Sequence, residues 1–139
     1  MFMMLAEPSL DAPMTGTIRT LIVDDEPDIR LLLRVMVELF DPRVRVIGEA
    51  GNGEEALARV EEFDPEVIVL DQRMPGLGGI DTAARLRHAG SHTRIILCTA
   101  DLTVDIRDRA EQVGVDTCLS KIDIDRVPAE IIRLSTLDP

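Results

Sequence analysis

The sequence predicts an α/β fold in which helices cover both faces of a parallel, five-stranded sheet. Short continuous runs of Val, Ile and Leu, at about 19–24, 66–70 and 94–98, are typical of strands buried on both faces. Amphipathic helical patterns separate these runs, and such alternation indicates a parallel sheet. The 139 residues, of which 45% are apolar and only 2% aromatic, fit one domain with an aliphatic core.

Two further segments complete the predicted sheet at its edges. Residues 43–47 alternate between apolar and charged side chains, and residues 117–120 are short and mixed, as half-exposed strands are. With right-handed crossovers, these edge strands favour the order 2-1-3-4-5 of doubly wound, flavodoxin-like (βα)5 folds. Ligands of such folds bind beyond the carboxyl ends of the strands, where the chain reverses direction between strands 1 and 3.

Helical patterns fill the connections between the predicted strands. The first helix has Pro27 at its first position, where the missing N–H does no harm. Apolar spacings of three and four residues predict the buried face of each helix. The predicted helices and their inward residues are the first (Ile29, Leu32, Leu33, Met36, Phe40), the second at 53–63 (Ala56, Leu57, Val60), the third at 79–89, the fourth at 103–113 with Gly114 as its stop, and the fifth from about Pro128 (Ile131, Ile132, Leu134).

Residues 1–16 are predicted to be a disordered leader, which leaves residues 17–139 as the domain. The apolar run MFMMLA stops at Glu7 and has no basic flank, so it fits neither a secretion signal nor a membrane span. Cys98 and Cys118 each lie in a short apolar run and are expected to be buried free thiols. We therefore expect a cytoplasmic protein, since a disulfide would suggest export.

The net charge of −11 excludes one class of partner. Binding to nucleic acid or to an anionic membrane depends on Lys and Arg, and this chain has 15 of them against 26 acidic residues. We therefore expect no direct nucleic-acid binding and no membrane association. Beyond this exclusion, an acidic surface indicates only solubility.

Polar residues follow four of the predicted strands. Asp24 and Asp25 close the first strand, Asp71 the third, Thr99 the fourth and Lys121 the fifth. Because the carboxyl ends of parallel strands meet at one edge of a sheet, we expect these side chains to lie together. Taken singly, each has an ordinary explanation, since a lone Asp at a strand end is usually a turn residue or a helix cap. Their joint placement is what indicates a site.

Three carboxylates at one point repel one another, and a divalent cation would remove that repulsion. At about 4 Å and an effective dielectric near 20, each pair costs roughly 4 kcal/mol. Oxygen ligands with few His or Cys partners favour Mg²⁺. Such a cation would let Asp71 attack phosphorus as a nucleophile, while Thr99 and Lys121 hold phosphoryl oxygens. The pattern therefore predicts phosphoryl transfer.

These residues resemble the response-regulator receiver family. The block D-x-x-M-P-G-x-x-G, together with an Asp pair, a Thr and a Lys, is highly specific to that family. The resemblance covers about residues 17–137 and implies a signalling domain of two-component systems. Its matching segments are LIVDDE (21–26), GEAGNGEEAL (48–57), VIVLDQRMPGLGGI (67–80), IILCTA (95–100) and CLSKI (118–122).

The resemblance also implies a role for each residue of the site. Asp71 is implied to be the phosphoacceptor. Thr99 is implied to contact the phosphoryl group and to move toward it on activation, and Lys121 to pair with a phosphoryl oxygen. The implied Mg²⁺ ligands are Asp25 directly, Asp24 through water, Asp71 and the backbone carbonyl of Arg73.

Two positions depart from the family pattern. Receivers usually carry an aromatic residue three positions before the lysine, and its ring turns inward on activation, but this chain has Cys118. Either Cys118 only fills space, or the chain signals through movement of the loop and fourth helix without a ring. The family also usually has proline after the lysine, often with a cis bond. Ile122 makes a cis bond costly, by about 3 kcal/mol, so we expect the loop after the fifth strand, next to Lys121, to differ from that of the family.

Two charged residues flank the predicted site. Arg73 lies two residues after Asp71, and Asp101 lies two residues after Thr99. In the family these positions vary and tune the loss of the phosphoryl group. We hypothesise that Arg73 and Asp101 form an ion pair across the mouth of the site and hinder the attacking water. The alternative is two solvated side chains that contribute little to stability.

We therefore expect a phosphorylation switch that takes its phosphoryl group from a sensor histidine kinase or a phosphotransfer protein. The output surface is expected to comprise the fourth helix, fifth strand and fifth helix, in a stand-alone protein or a piece of a longer regulator. It would act on a downstream protein target or an attached effector, with a homodimer as a further option. The chain is not expected to be an enzyme acting on an outside substrate. The alternative function is a phosphorylation-independent interaction module.

Overall fold

Five strands and five α-helices alternate along residues 16–137, which are the residues that the computed structural model describes. The strands are β1 (Ile18–Val23), β2 (Val44–Ala50), β3 (Val67–Leu70), β4 (Arg94–Thr99) and β5 (Thr117–Ser120). The helices are α1 (Pro27–Phe40), α2 (Gly53–Phe63), α3 (Gly79–His88), α4 (Val104–Gln112) and α5 (Val127–Ser135). A 3-10 helix that was not predicted, Lys121–Arg126, joins β5 to α5. Apart from Gly16, the predicted leader lies outside the described residues.

The strands form one parallel sheet in the predicted order, β2-β1-β3-β4-β5. Its register aligns Val23 of β1 with Leu70 of β3, and Leu70 with Leu97 of β4. Asp24 and Asp71, the residues that follow Val23 and Leu70, therefore leave the sheet at the same level. The strand order reverses between β1 and β3, so the two carboxylates lie where doubly wound sheets bind ligands.

Each face of the sheet has its own core. On one face α1 and α5 cover the sheet, and on the other face α2, α3 and α4 do so. Cys98 is buried in the first core, whereas Cys118 borders the second and is only half-buried. Both are free thiols, as predicted, but the expected full burial of Cys118 is wrong. Among the described residues, no helix is both long enough and apolar enough to cross a membrane.

Helix α1 buries only part of the predicted face. Leu33 and Val37 are buried and Ile29 packs against them, whereas Leu32 and Phe40 expose 44% and 57% of their surface. The prediction was wrong in part because exposed apolar residues such as Leu31 and Leu39 widen the apolar surface of α1, so more than one helical stripe fits its sequence. The stripe that packs against the sheet consists of Ile29, Leu33 and Val37, which are spaced four residues apart.

The second strand continues beyond its predicted end at residue 47. Its alternation of apolar and charged side chains stops before Gly48, but Gly48 still pairs with Leu21 and Ala50 with Val23. The longer strand follows from backbone hydrogen bonding, which needs no particular side chain. The other predicted boundaries agree with the structure to within one residue.

Gly79, the first residue of α3, brings that helix against the end of β3. A Cβ atom at position 79 would lie 2.3 Å from the carbonyl oxygen of Asp71 and 2.9 Å from Cδ1 of Leu97. Gln72 fixes the same helix start. Its backbone oxygen accepts a hydrogen bond from the Gly79 N–H (3.1 Å), and its side-chain Oε1 accepts one from the Ile80 N–H (2.7 Å). The main chain at Asp71 is therefore held by α3.

Substituting Gly79 tests this close approach. We expect Gly79→Ala to lower the free energy of unfolding by about 1–3 kcal/mol, because the added methyl group would displace α3 from Asp71. Gly51→Ala is the matched control, since its Cβ would make only ordinary contacts, at 3.6 Å from Arg30 and 3.7 Å from Glu55. Its effect should stay within about 0.5 kcal/mol. Urea unfolding of both variants makes the comparison, and equal losses would contradict the prediction.

Candidate functional site

Three carboxylates meet at the carboxyl edge of the sheet. Asp24 and Asp71 are buried, with 2% and 4% of their surface exposed, and Asp25 beside them is exposed. One oxygen atom from each of the three lies within 4.8 Å of the others. Within residues 16–137, this is the group of acidic or metal-binding side chains that is close enough to hold a metal ion. The structure thus brings together the three Asp residues that the sequence analysis selected.

Lys121 lies between the two buried carboxylates. Its Nζ is 2.8 Å from Oδ2 of Asp24 and 3.0 Å from Oδ2 of Asp71. Burial acts to lower the pKa of Lys121, but the hydrogen bonds to Asp24 and Asp71 outweigh it, so that pKa lies above its ordinary value. Lys121 is therefore a charged ammonium group. One ammonium against three carboxylates leaves an excess of negative charge at the site.

The pKa of the Asp71 carboxyl group is affected by contributions of opposite sign. Burial raises the pKa of Asp71, and the negative charge of Asp24 adds to that effect, whereas the hydrogen bond from Lys121 opposes it. The net direction is upward. The Arg73 backbone N–H also donates a hydrogen bond, 3.3 Å long, to Oδ1 of Asp71. A cation near Asp71 would favour the ionised form that a nucleophile needs.

Thr99 ends β4 and carries an unusual hydroxyl group. The residue is fully buried, and among the described residues its Oγ1 is the buried side-chain atom that lacks a hydrogen-bond partner. An unsatisfied buried hydroxyl costs about 1–3 kcal/mol. The hydroxyl therefore has an unused hydrogen bond at the edge of the sheet where the sequence predicts a phosphoryl oxygen, although no part of Thr99 is exposed in this structure.

A cleft of about 290 Å³ gives access to the carboxylates. It is lined by Asp25, Glu26, Asp71, Arg73, Ala100 and Lys121. Beside it, the side chains of Arg73 and Asp101 form an ion pair, as the hypothesis requires. Both side chains are about two-thirds exposed (67% and 64%), so the pair contributes little to stability. Any effect of the pair must therefore act locally, on access to the cleft.

Cys118 lies apart from the carboxylates. It lines a separate cleft of about 250 Å³ on the side of β5 that faces α4, together with Leu102 and Arg107. Burial raises the pKa of its thiol.

The segment after β5 is the 3-10 helix that begins at Lys121, in which Ile122 is 88% exposed. The loop after β5 therefore has a defined helical form despite the missing proline.

The sequence analysis missed the groups that hold Asp24. The Glu26 backbone N–H donates to Oδ1 of Asp24 (2.9 Å), and Nη1 of Arg30 donates to its backbone oxygen (2.6 Å). Glu49 of β2 in turn binds Arg30. The hydrogen bond from the Glu26 N–H could have been predicted from the sequence, because Asp side chains often bind the backbone N–H two residues later in a turn. The pairing of Arg30 with Glu49 could not have been predicted in this way, because the two residues are 19 positions apart in the sequence.

Comparison with known proteins identifies the family. Residues 20–131 match the family model of the response regulator receiver domain, which is most of the chain. The chain therefore belongs to the response-regulator receiver family, and the resemblance stated above is confirmed. Receiver domains of this family are signalling modules of two-component systems.

Particular relatives support this identification. Nitrate/nitrite response regulator protein NarL of Escherichia coli is 31% identical over 113 residues, which are 81% of this chain and 50% of that protein. Sporulation initiation phosphotransferase F of Bacillus subtilis is 33% identical over 110 residues, 78% of this chain and 86% of that protein. The receiver domain of a putative regulator NarL from Mycobacterium tuberculosis superposes with a TM-score of 0.83 at 29% identity, covering 88% of this chain and 98% of that one. The chain spans about half the length of the Escherichia coli regulator.

Thiol chemistry tests the burial of β4 next to the site. Burial raises the pKa of Cys98 to about 12, so we expect it to resist alkylation by iodoacetamide at pH 8 in the folded protein. Cys118, which is half-buried, should react faster and serves as the internal control. Peptide mass spectrometry before and after unfolding in urea locates the label. Rapid labelling of Cys98 in the folded protein would contradict the packing described here.

Proposed function

We propose that this receiver domain is a phosphorylation switch whose Asp71 accepts a phosphoryl group from a histidine kinase or a phosphotransfer protein. The supporting observation is the Asp71 carboxylate, which lines an open cleft together with Asp25 and has the Lys121 ammonium on one oxygen. A carboxylate that lines a cleft, is flanked by acidic groups and is paired with an ammonium suits in-line transfer of a phosphoryl group. The domain changes its own covalent state and is not proposed to turn over an outside substrate.

The oxygen-rich donor set at this cleft fits Mg²⁺ better than a softer metal. We propose that its ligands are Asp24, Asp25, Asp71 and the backbone carbonyl of Arg73. When bound, the cation would neutralise the carboxylates and the incoming phosphate. The excess negative charge of the cluster and its pairwise distances support the three carboxylates as ligands.

The proposed transfer is carried out by side chains of the site. An oxygen of ionised Asp71 attacks phosphorus, and the bond from phosphorus to the donor's imidazole nitrogen breaks, the nitrogen keeping its electron pair. Lys121 then exchanges its contact with Asp71 for a phosphoryl oxygen, as its long side chain allows. The unpaired hydroxyl of Thr99 donates to a second phosphoryl oxygen, which supplies the hydrogen bond it lacks.

The proposed output runs from Thr99 to the surface formed by α4, β5 and α5. Thr99 is separated from the start of α4 by only a short connection, and it pairs with Ser120 of β5. Movement of Thr99 toward a phosphoryl group would therefore shift the start of α4. Cys118 offers no ring to follow that movement, so the loop and α4 would carry the signal to a downstream protein or an attached effector domain.

Intact-mass analysis with acetyl phosphate tests the proposal. We expect one added phosphoryl group that requires Mg²⁺ and is lost in Asp71→Asn, because the amide oxygen is a poor nucleophile. Asp81→Asn is the matched control, since Asp81 is an exposed residue of α3 outside the site. This variant should be phosphorylated like the wild type.

A wild-type protein that stays unmodified would lead to a second assay. Beryllofluoride binding, measured by amide NMR shifts, reports whether the cleft accepts a phosphoryl mimic. Failure of both assays would overturn the proposal and favour a phosphorylation-independent interaction module.

The ion pair beside the cleft gives a further prediction. We expect Arg73→Ala to shorten the half-life of the phosphorylated protein several-fold, because water would reach the phosphoryl group more freely. Asp101→Ala should act in the same direction. Arg43→Ala is the control, since it removes a surface ion pair with Asp41 at the opposite edge of the sheet. Release of inorganic phosphate gives the half-lives, and an unchanged value for Arg73→Ala would refute the role of the pair.

A further inference from the structure

We propose that Arg30 is a positioning residue of the cation site, because it fixes the peptide group that joins Asp24 to Asp25. Arg30 lies on α1 and touches none of the three carboxylates within hydrogen-bond distance in the described contacts. It acts through the main chain and through Glu49 of β2. The inference rests on the proposed function, since it assumes that Asp24 and Asp25 are ligands.

Arg30 makes two hydrogen bonds in different directions. Its Nη1 donates to the backbone oxygen of Asp24 (2.6 Å), and its Nε donates to Oε1 of Glu49 (2.9 Å). The other oxygen of Glu49 accepts from Nε (3.0 Å) and Nη2 (2.8 Å) of Arg34. The planar guanidinium of Arg30 is therefore held at two points, and it can serve as a fixed reference for the carbonyl it binds.

The carbonyl of Asp24 belongs to the planar peptide group between Asp24 and Asp25. On the preceding side, the Asp24 N–H donates to the backbone oxygen of Ala50 (3.1 Å). With Arg30 on the carbonyl, the torsions on both sides of this peptide group are restricted. These torsions set the directions in which the side chains of Asp24 and Asp25 leave the main chain.

Asp25 depends most on this restraint. The Asp24 side chain is held independently by the Glu26 N–H and by Lys121. In the described part of the chain, no hydrogen bond or ion pair holds the exposed carboxylate of Asp25. Its position within 4.8 Å of the other carboxylates is therefore set by the backbone and its own side-chain torsions, with no polar contact to fix it. Loss of Arg30 would leave the proposed direct ligand without an orienting contact.

Arg34 provides a matched control for this role. It donates two hydrogen bonds to Glu49, as part of the same network, but none to Asp24. A purely structural role for the network predicts that loss of either arginine has the same consequence. A positioning role predicts that only Arg30 affects binding of the cation.

The experiment measures the Mg²⁺ dissociation constant of the full chain by isothermal titration calorimetry, with melting temperatures recorded without Mg²⁺. We expect Arg30→Ala to raise the dissociation constant about tenfold, the lower end of the range for groups that orient metal ligands. Arg34→Ala should change it less than about twofold, even with a comparable loss in melting temperature. Arg30→Lys, which cannot hold both partners as a guanidinium does, should give an intermediate value in a folded protein.

The outcomes separate this inference from the proposed function. Equal dissociation constants for Arg30→Ala and Arg34→Ala would overturn the positioning role while leaving the cation site intact. If the wild-type protein binds no Mg²⁺, the cation site and the inference both fail. If Arg30→Ala does not fold, Arg30→Lys decides the matter, and wild-type affinity in that variant overturns the inference.

Discussion

The ammonium group of Lys121 holds the carboxyl edge of this domain together. Asp24 and Asp71 are buried side by side because adjacent parallel strands end at the same level, and their charges repel across that short distance. Lys121, which comes from the far side of β4, bonds to both. Buried ion clusters of this kind add little net stability, since desolvation offsets attraction. Their presence at a strand edge is better explained by the chemistry they allow.

The sheet holds these groups at fixed positions because it is packed on both faces. Its buried apolar residues in the described chain are aliphatic or cysteine, and the two cores do not share side chains. Strands covered on both faces have little freedom to shift their ends. Close contact at Gly79 and the caps from Gln72 add a further restraint at Asp71. The site is thus rigid where the carboxylates are anchored and open only at the cleft.

The sequence predicted the parts of this arrangement that follow from local patterns. Apolar runs and their polar ends placed Asp24, Asp71 and Lys121 at one edge, and strand order followed from the two weaker strands. Other features escaped prediction for physical reasons, among them the packing of α1 and the contacts of Arg30. The buried face of α1 could not be chosen because exposed apolar residues widen its apolar surface beyond the stripe that packs on the sheet. The bond of Arg30 to Glu49 was invisible because one sequence carries no record of long-range pairs.

The lengths of the two side chains that face the proposed phosphoryl position differ in a way that matters for signalling. Lys121 reaches the carboxylates through a flexible four-carbon stem, so it can change partners while its own backbone stays still. Thr99 has a short, β-branched side chain with few rotamers. Apart from rotation about χ1, its hydroxyl can shift only together with the main chain of β4. Under the proposed function, a phosphoryl group in the cleft would therefore act on the main chain of β4 through Thr99, whereas Lys121 would adjust through its side chain alone.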